Sequence, residues 1–323
     1  MFMHGDKLKE RMNEAGERGN PFLFAVDFEM EEGFFLADPL QQQKALFDIR
    51  GISNAPLLPG RVPPHHFEAF PEDYNTYRLR FESVMKGMKR GDSYLTNLTI
   101  STPVSMSLSL REIFLYARSP YRLFLPDRFV CFSPECFVRM EEGKIFTFPM
   151  KGTIDARRPD ARQTILNDPK ERAEHNTIVD LLRNDLSRIA TGVTVNRFRY
   201  IEELQTNKGP ILQVSSEIEG TLPPNYLSQL GTLFFGLLPA GSVSGAPKAA
   251  TLALIHAAER EKRGYYTGVA GYFDGSRLDT FVLIRFIEQK DSRHSFRSGG
   301  GITAQSDCRK EYNEALQKVY LPF

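Results

Sequence analysis

No sign of charge dominates this sequence: 41 lysines and arginines face 40 aspartates and glutamates, a formal net charge of +1 over 323 residues. So balanced a chain lacks the electrostatic footprint for nucleic acid or an acidic membrane. Cysteine is scarce. Cys131, Cys136 and Cys308 form an odd set without paired metal-ligand spacing, which excludes a disulfide framework and predicts reduced thiols in a cytoplasmic protein. No apolar run approaches the roughly 20 residues that span a bilayer. Residues 1–20 are polar and charged, without the apolar centre of a signal peptide. There is no repeat period and no low-complexity tract. What remains, 41% hydrophobic and 25% charged, is ordinary globular composition, with length enough for one large domain or two small ones.

Strand patterns come first. Phe22 to Phe28 is rich in aromatics, and an acidic turn separates it from Phe34–Ala37, a predicted hairpin. A proline-rich stretch from Ala55 to His66 reads as a connecting loop. Tyr77, Phe81, Val84 and Met85 then recur at helical spacing, with a stop near Gly91. Strands are expected around Tyr94–Ser101, Tyr121–Phe124, Phe129–Phe132, Phe137–Met140 and Ile145–Met150, the last two joined by a tight Glu142-Gly143 turn. A long helix opens at Asp168-Pro169, with aspartate as cap and proline at the first helical position. More strands follow Asn196, then a helix over Pro247–Arg260, strands over Thr267–Phe273 and Thr280–Ile287, and a terminal helix over Asp307–Tyr320. Such uneven grouping predicts an α+β domain with antiparallel sheet rather than a βαβ winding.

Four constellations carry chemistry. In Met150-Lys-Gly-Thr153 a strand delivers Lys151 to its end, and Gly152 permits close backbone approach. A lone lysine there is usually a surface cation, but held among apolar neighbours it can shed its proton and act as a nucleophile. On the long helix an apolar stripe of Ile178, Leu181, Leu182, Leu186 and Ile189 projects back through Glu174 and Glu171. Glu171 suits a capping box. Glu174 on a buried face needs a partner, and a hard cation would serve. The terminal helix sets Glu311, Glu314 and Lys318 on one face, which is either a solvated ion pair or a second carboxylate pair for the same cation. Finally, Pro239–Lys248 and Ser298-Gly-Gly-Gly-Ile302 are glycine-rich and could bind anions through backbone N–H groups. The first lacks the Walker pattern, so carboxylates are better ligands than nucleotides.

In this order, Ser133-Pro-Glu135, Met150-Lys-Gly-Thr153, Glu174-His-Asn-Thr-Ile-Val-Asp-Leu-Leu-Arg-Asn-Asp-Leu186, Gly241-Ser-Val-Ser-Gly-Ala-Pro-Lys248 and Gly299-Gly-Gly-Ile-Thr-Ala-Gln-Ser-Asp307 resemble the chorismate-utilising family. That family includes the synthase components of anthranilate and aminodeoxychorismate synthases and the isochorismate and salicylate synthases. The resemblance implies a two-layer antiparallel β-sheet sandwich flanked by helices, like anthranilate synthase component I, with the active site between the layers. It implies one catalytic domain over residues 1–323, with 1–73 a short N-terminal part and 74–323 the matching core. It also implies Mg²⁺ held by Glu174 and Glu314, with Glu171 and Glu311 close by. Chorismate contacts carry over to Gly152, Thr153, Ser242, Tyr266, Arg285, Gly299, Gly300, Gly301 and Lys318, and Glu135 matches the general acid. Two carboxylates on the substrate suit a metal, an arginine fork and backbone N–H groups.

Two positions separate the branches. Aminodeoxychorismate synthases resemble this chain in carrying lysine where Lys151 stands, whereas anthranilate synthases have alanine. Isochorismate and salicylate synthases have a water-activating lysine at or beside Leu95. Both positions imply ammonia as nucleophile, supplied by a separate glutaminase subunit or from solution, since no Cys-His-Glu glutaminase module is evident. The chain departs from many relatives at Gln213, where they have histidine, and at Leu95, where aminodeoxychorismate and anthranilate synthases usually have glutamine. It shows no leucine-rich motif for feedback by tryptophan. Anthranilate synthase component I is the enzymatic rival, and an inactive chorismate-binding scaffold is the non-enzymatic one.

Overall fold

A computed structural model describes residues 1–56, 60–206 and 209–323. The chain runs β1 (Phe2–His4), α1 (Gly5–Arg18), β2 (Phe22–Val26), β3 (Glu32–Ala37), β4 (Leu46–Ile49), β5 (Ile52–Ser53), β6 (Phe67–Ala69) and α2 (Tyr74–Arg90). Next come β7 (Leu95–Met106), α3 (Leu110–Tyr116), β8 (Tyr121–Leu125), β9 (Phe129–Ser133), β10 (Cys136–Glu141), β11 (Lys144–Thr147), β12 (Met150–Asp155), α4 (Ala161–Asn167) and α5 (Pro169–Leu186). The remainder is β13 (Thr191–Thr206), β14 (Gly209–Thr221), α6 (Leu230–Leu237), β15 (Gly245–Ala246), α7 (Lys248–Glu259), β16 (Val269–Phe273), β17 (Leu278–Val282), β18 (Phe286–Lys290), β19 (Arg293–Ile302) and α8 (Cys308–Gln317).

The strands form two sheets. One follows β1-β3-β2-β16-β17-β10-β11-β14-β12, with β13 on the other edge of β14; the second follows β15-β7-β19-β18-β9-β8-β4-β5, with β6 on β7. The pairings, such as β2 with β3 and β7 with β19, are antiparallel. Strand β2 shows why its five residues are all apolar. Phe22, Phe24 and Val26 pack toward α1, α5 and α6, while Leu23 and Ala25 face the apolar layer between the sheets. Because side chains alternate along a strand, covering both faces removes the polar half of the pattern. On the outer side of the second sheet, α2, α7 and α8 cover β7 and β19, and α3 covers its other end.

Local chemistry sets the ends of the elements. Asp73 caps α2 by accepting from Asn75 N and Thr76 N, and Gly91 ends it at φ 88°. Glu142 and Gly143 both adopt positive φ, 52° and 74°, the turn that joins β10 to β11.

Several sequence expectations need correction. Residues 1–20, for which no element was expected, form β1, which extends the first sheet, and α1, which buries Leu8, Met12 and Ala15. The expected strand Ile145–Met150 breaks at Phe148 and Pro149: β11 ends at Thr147, and Met150 opens β12, which pairs with β14. Lys151 therefore lies inside a strand rather than at the end of one. Thr280–Ile287 also divides, because β17 belongs to the first sheet and β18 to the second. The glycines 299–301 lie within β19, paired to β7, and not in a loop. Three residues of the expected 55–66 loop, 57–59, lie outside the described residues.

Two short crossings position the site. Between β9 and β10 the chain passes from the second sheet to the first through Pro134 and Glu135. Between β17 and β18 it returns through Leu283, Ile284 and Arg285. The crossings lie side by side: Val282 N donates to Glu135 O at 3.2 Å, and Phe132 N to Arg285 O at 3.0 Å.

Candidate active site

A cavity of about 180 Å³ opens where these crossings meet the ends of β7, β12 and β19. Glu135 lines it from the first crossing and Arg285 from the second; Lys151 comes from β12, and Gly299 to Gly301 form a wall of β19. Gly152, at φ 76°, marks a register shift between Lys151 and Thr153 against β14. That irregularity turns Lys151 toward the cavity.

Glu135 is the buried carboxyl of the cavity. Ser242 Oγ donates to its Oε1 at 2.6 Å, and its own N–H donates to Ser133 Oγ at 3.1 Å. Burial pushes its carboxyl above the usual range; the Ser242 hydrogen bond and the charges of Lys151 and Lys318 pull the other way without cancelling it. The Ser242 loop is held from behind. Lys248 Nζ lies 3.0 Å from Asp185 Oδ1 of α5 and donates to Leu237 O at 2.8 Å. A deeper ion pair, Arg263 with Glu259 at 2.7 Å, ties β7 to the same loop through Asn97 O and Val243 O.

Lys318 donates to Gly299 O at 2.7 Å and lies 2.8 Å from Glu314 Oε1. Arg285 Nη1 donates to Lys318 O at 3.2 Å. Tyr266 is buried, its hydroxyl pushed up to about 12 by desolvation. Thus Glu135, Lys151, Ser242, Tyr266, Arg285, Gly299, Gly300, Gly301, Glu314 and Lys318 meet at one cavity. Gly152, Thr153, Glu171, Glu174 and Glu311 are not in its wall, and Thr153 is exposed.

The acids flank the cavity as two sets. Glu174 Oε2 lies 3.9 Å from Lys151 Nζ. A Cβ on Gly152 would come 2.9 Å from Glu171 Oε2. Across the cavity a Cβ on Gly300 would stand 3.7 Å from each of Glu311 Oε2, Glu314 Oε1 and Lys318 Nζ. Each glycine thus leaves open a cradle beside carboxylates. Among the described residues no three acidic side chains already converge on one point as metal ligands. Lysines occupy the near positions. The donors are all hard oxygens, so the chemistry suits a small divalent cation.

Asn97 and Arg297 also line the cavity and were not singled out from sequence, and Ser298 does so ahead of the glycines it was read with. Strand period would have found Asn97, two residues beyond Leu95 on the same face. Arg297 is almost wholly buried beneath Tyr266, with Glu288 at 3.2 Å. Nothing in its sequence context marks an arginine so placed.

Comparison with known proteins agrees with this arrangement. The family model described as chorismate binding enzyme matches residues 29–322. A Haemophilus influenzae protein named as uncharacterised and PabA-like is 50% identical over 316 residues, 97% of this chain and 95% of its own. Aminodeoxychorismate synthase component 1 of Bacillus subtilis is 30% identical over 267 residues, 78% of this chain and 56% of the relative. Anthranilate synthase component 1 of Aquifex aeolicus is 38% identical over 215 residues, 62% and 42%. The chain therefore spans about half the length of these two synthases. Among solved structures, an isochorismate synthase of the 2,3-dihydroxybenzoate type from Bacillus anthracis superposes with a TM-score of 0.72 at 20% identity, over 99% of this chain and 89% of that one. Anthranilate synthase component I from Streptococcus pneumoniae gives 0.63 at 29% identity, over 79% and 59%. The chain belongs to the chorismate-binding enzymes, and its match begins well before the residue 74 that the motifs alone indicated.

Proposed function

We propose that this chorismate-binding enzyme is the synthase component of an aminodeoxychorismate synthase, joining chorismate and ammonia to give 4-amino-4-deoxychorismate and water. The observation that carries this reading is Lys151 in the wall of the same cavity as a raised-pKa glutamate, Glu135. Once its ammonium has given a proton to solvent, Lys151 attacks ring carbon 2, the double bond shifts, and the 4-hydroxyl departs with the proton of Glu135 as water. Ammonia then attacks carbon 4, the bond from Lys151 to carbon 2 breaks, and the lysine leaves as free amine. The new ammonium returns one proton to the Glu135 carboxylate. Atoms and charge balance, and both side chains regain their starting state when Lys151 takes its proton back from solvent.

Arg285, Lys318 and the N–H groups of the β19 glycines would receive the substrate carboxylates. Mg²⁺, held by Glu174 and Glu314 with Glu171 and Glu311 beside them, would neutralise carboxylate charge at the same place. Ammonia has to come from elsewhere. The thiols of Cys131, Cys136 and Cys308 are all pushed up, chiefly by burial, so none is suited to glutamine hydrolysis. A separate glutaminase subunit would supply ammonia.

The 38% identity to an anthranilate synthase component favours a second reading, with anthranilate as product. One experiment separates the two. Purified protein with chorismate, Mg²⁺ and ammonium salt is resolved by chromatography. Aminodeoxychorismate supports the proposal, anthranilate supports the rival, and no turnover leaves a binding protein.

A further inference from the structure

Lys151, Glu135 and the glycine wall account for chorismate, but none of them accounts for the place of the incoming nitrogen. We propose that the side-chain amide of Asn97 holds ammonia in the cavity, its carbonyl oxygen accepting an N–H hydrogen bond and so aiming the nitrogen lone pair. The inference rests on the amination reading above.

Asn97 follows Leu95 by two residues on β7, so both side chains leave the same face, and both line the cavity with Lys151 and Glu135. Its backbone is fully engaged. Asn97 N donates to Ser244 O at 2.9 Å, and Asn97 O accepts from Arg263 Nη2 at 2.7 Å. That guanidinium is itself fixed by the buried Glu259. The register partner of Asn97 on β19 is Gly301, where a Cβ would come 3.2 Å from Leu95 Cδ1, so the wall here stays closely packed. Against this rigid setting the side-chain oxygen Oδ1 is buried and has no hydrogen-bond partner among the described residues. Native proteins seldom leave a buried acceptor unpaired, and a bound donor removes the cost.

The chemistry selects the donor. An amide oxygen accepts a hydrogen bond but does not take up a proton at neutral pH, and Leu95 beside it carries no polar atom. Water held on that wall stays water, because nothing there deprotonates it. Ammonia needs no base, since its lone pair is already nucleophilic. It needs only acceptors for its N–H groups, and a neutral acceptor supplies this.

The test compares wild type with Asn97→Ala, Asn97→Leu, which keeps the volume, and Asn97→Asp, which keeps an acceptor oxygen. The KM for free ammonia is measured at saturating chorismate, alongside a chorismate-binding titration and a melting curve. Loss of one hydrogen bond should raise that KM by about tenfold in the Ala and Leu variants. Chorismate affinity and melting temperature should stay near wild type, and Asn97→Asp should recover most of the loss. An unchanged ammonia KM in Asn97→Ala or Asn97→Leu overturns the proposal. So does an equal loss of chorismate affinity, which would assign Asn97 to that substrate. If the Ala variant melts early, the Leu and Asp pair decides. Wild-type protein that releases no aminated product refutes the functional reading before any variant is compared, and Asn97's role goes with it.

Discussion

Glu135 combines two properties that a general acid needs. Its carboxyl is held above the usual range by desolvation, and Ser242 fixes its orientation. A raised acid is protonated up to a higher pH and delivers its proton from that state, so activity should fall as pH rises through its raised pKa. Glu135→Gln keeps the shape and cannot donate a proton. It should lower kcat/KM by roughly a hundredfold or more and flatten that alkaline limb, measured as a pH profile. If the limb persists in the variant, it belongs to another group. Lys151→Met removes the proposed nucleophile and keeps the apolar stem. A loss of a few hundredfold in kcat/KM with ammonium, on the order of 3 kcal/mol, is expected while chorismate still binds by titration. Wild-type turnover here would point to direct attack by ammonia. Both residues were legible in the sequence from short motifs, whereas Arg297 became visible only when β19 met β18 and β7 in space.

At the scale of elements, the sequence located strands and helices well wherever a pattern ran unbroken within one environment. α2, with its period and Gly91 stop, is one such case, and the hairpin of β2 and β3 is another. It failed where one apolar run changes sheets, as at Leu283–Arg285, because periodicity records burial and not which sheet does the burying. It also took the β19 glycines for a loop. They are a strand whose side chains had to be absent, and the acids on α8 show why. Gly300→Ala would set a methyl in ordinary contact, 3.7 Å from Glu311, Glu314 and Lys318, so the protein should fold while activity drops at least about tenfold. Gly299→Ala instead meets Leu98 O at 2.5 Å and should lower the melting temperature as well. Similar melting curves for the two variants would show that the strand can shift to accept either methyl. Facing acids on α5 and α8 predict that Glu174→Gln and Glu314→Gln each abolish Mg²⁺-dependent turnover without unfolding. Near-normal activity at low Mg²⁺ in either variant would remove those residues from the metal.

Across the whole molecule, two carboxyls outside the cavity wall should set the acid side of stability. Burial raises Asp27 and Asp279 each to about 6. Each carboxyl is therefore more readily protonated in the folded chain than in the unfolded one. The stability this contributes is full below about pH 4, where both states are protonated, and is lost as pH rises through about 6. The loss is on the order of 2 kcal/mol per group. Asp27→Asn keeps the acceptor that Glu31 N uses at 2.8 Å and removes the charge. It should be more stable than wild type in urea at pH 7.5 and equal to it at pH 4. The same difference at both pH values would mean that Asp27 stays ionised in the folded protein.

The paired crossings at Pro134-Glu135 and Leu283–Arg285 also limit how the molecule can move. Two covalent ties, hydrogen-bonded to each other, join the sheets where the cavity begins. Sliding one sheet over the other would have to break the bonds from Val282 N and Phe132 N. The acid and the arginine are therefore set at a constant separation, like the fixed jaws of a spanner. Admission of a ligand has to come from the other walls, where α5 and α8 carry the carboxylates, and the ring that fits is gauged before either helix moves.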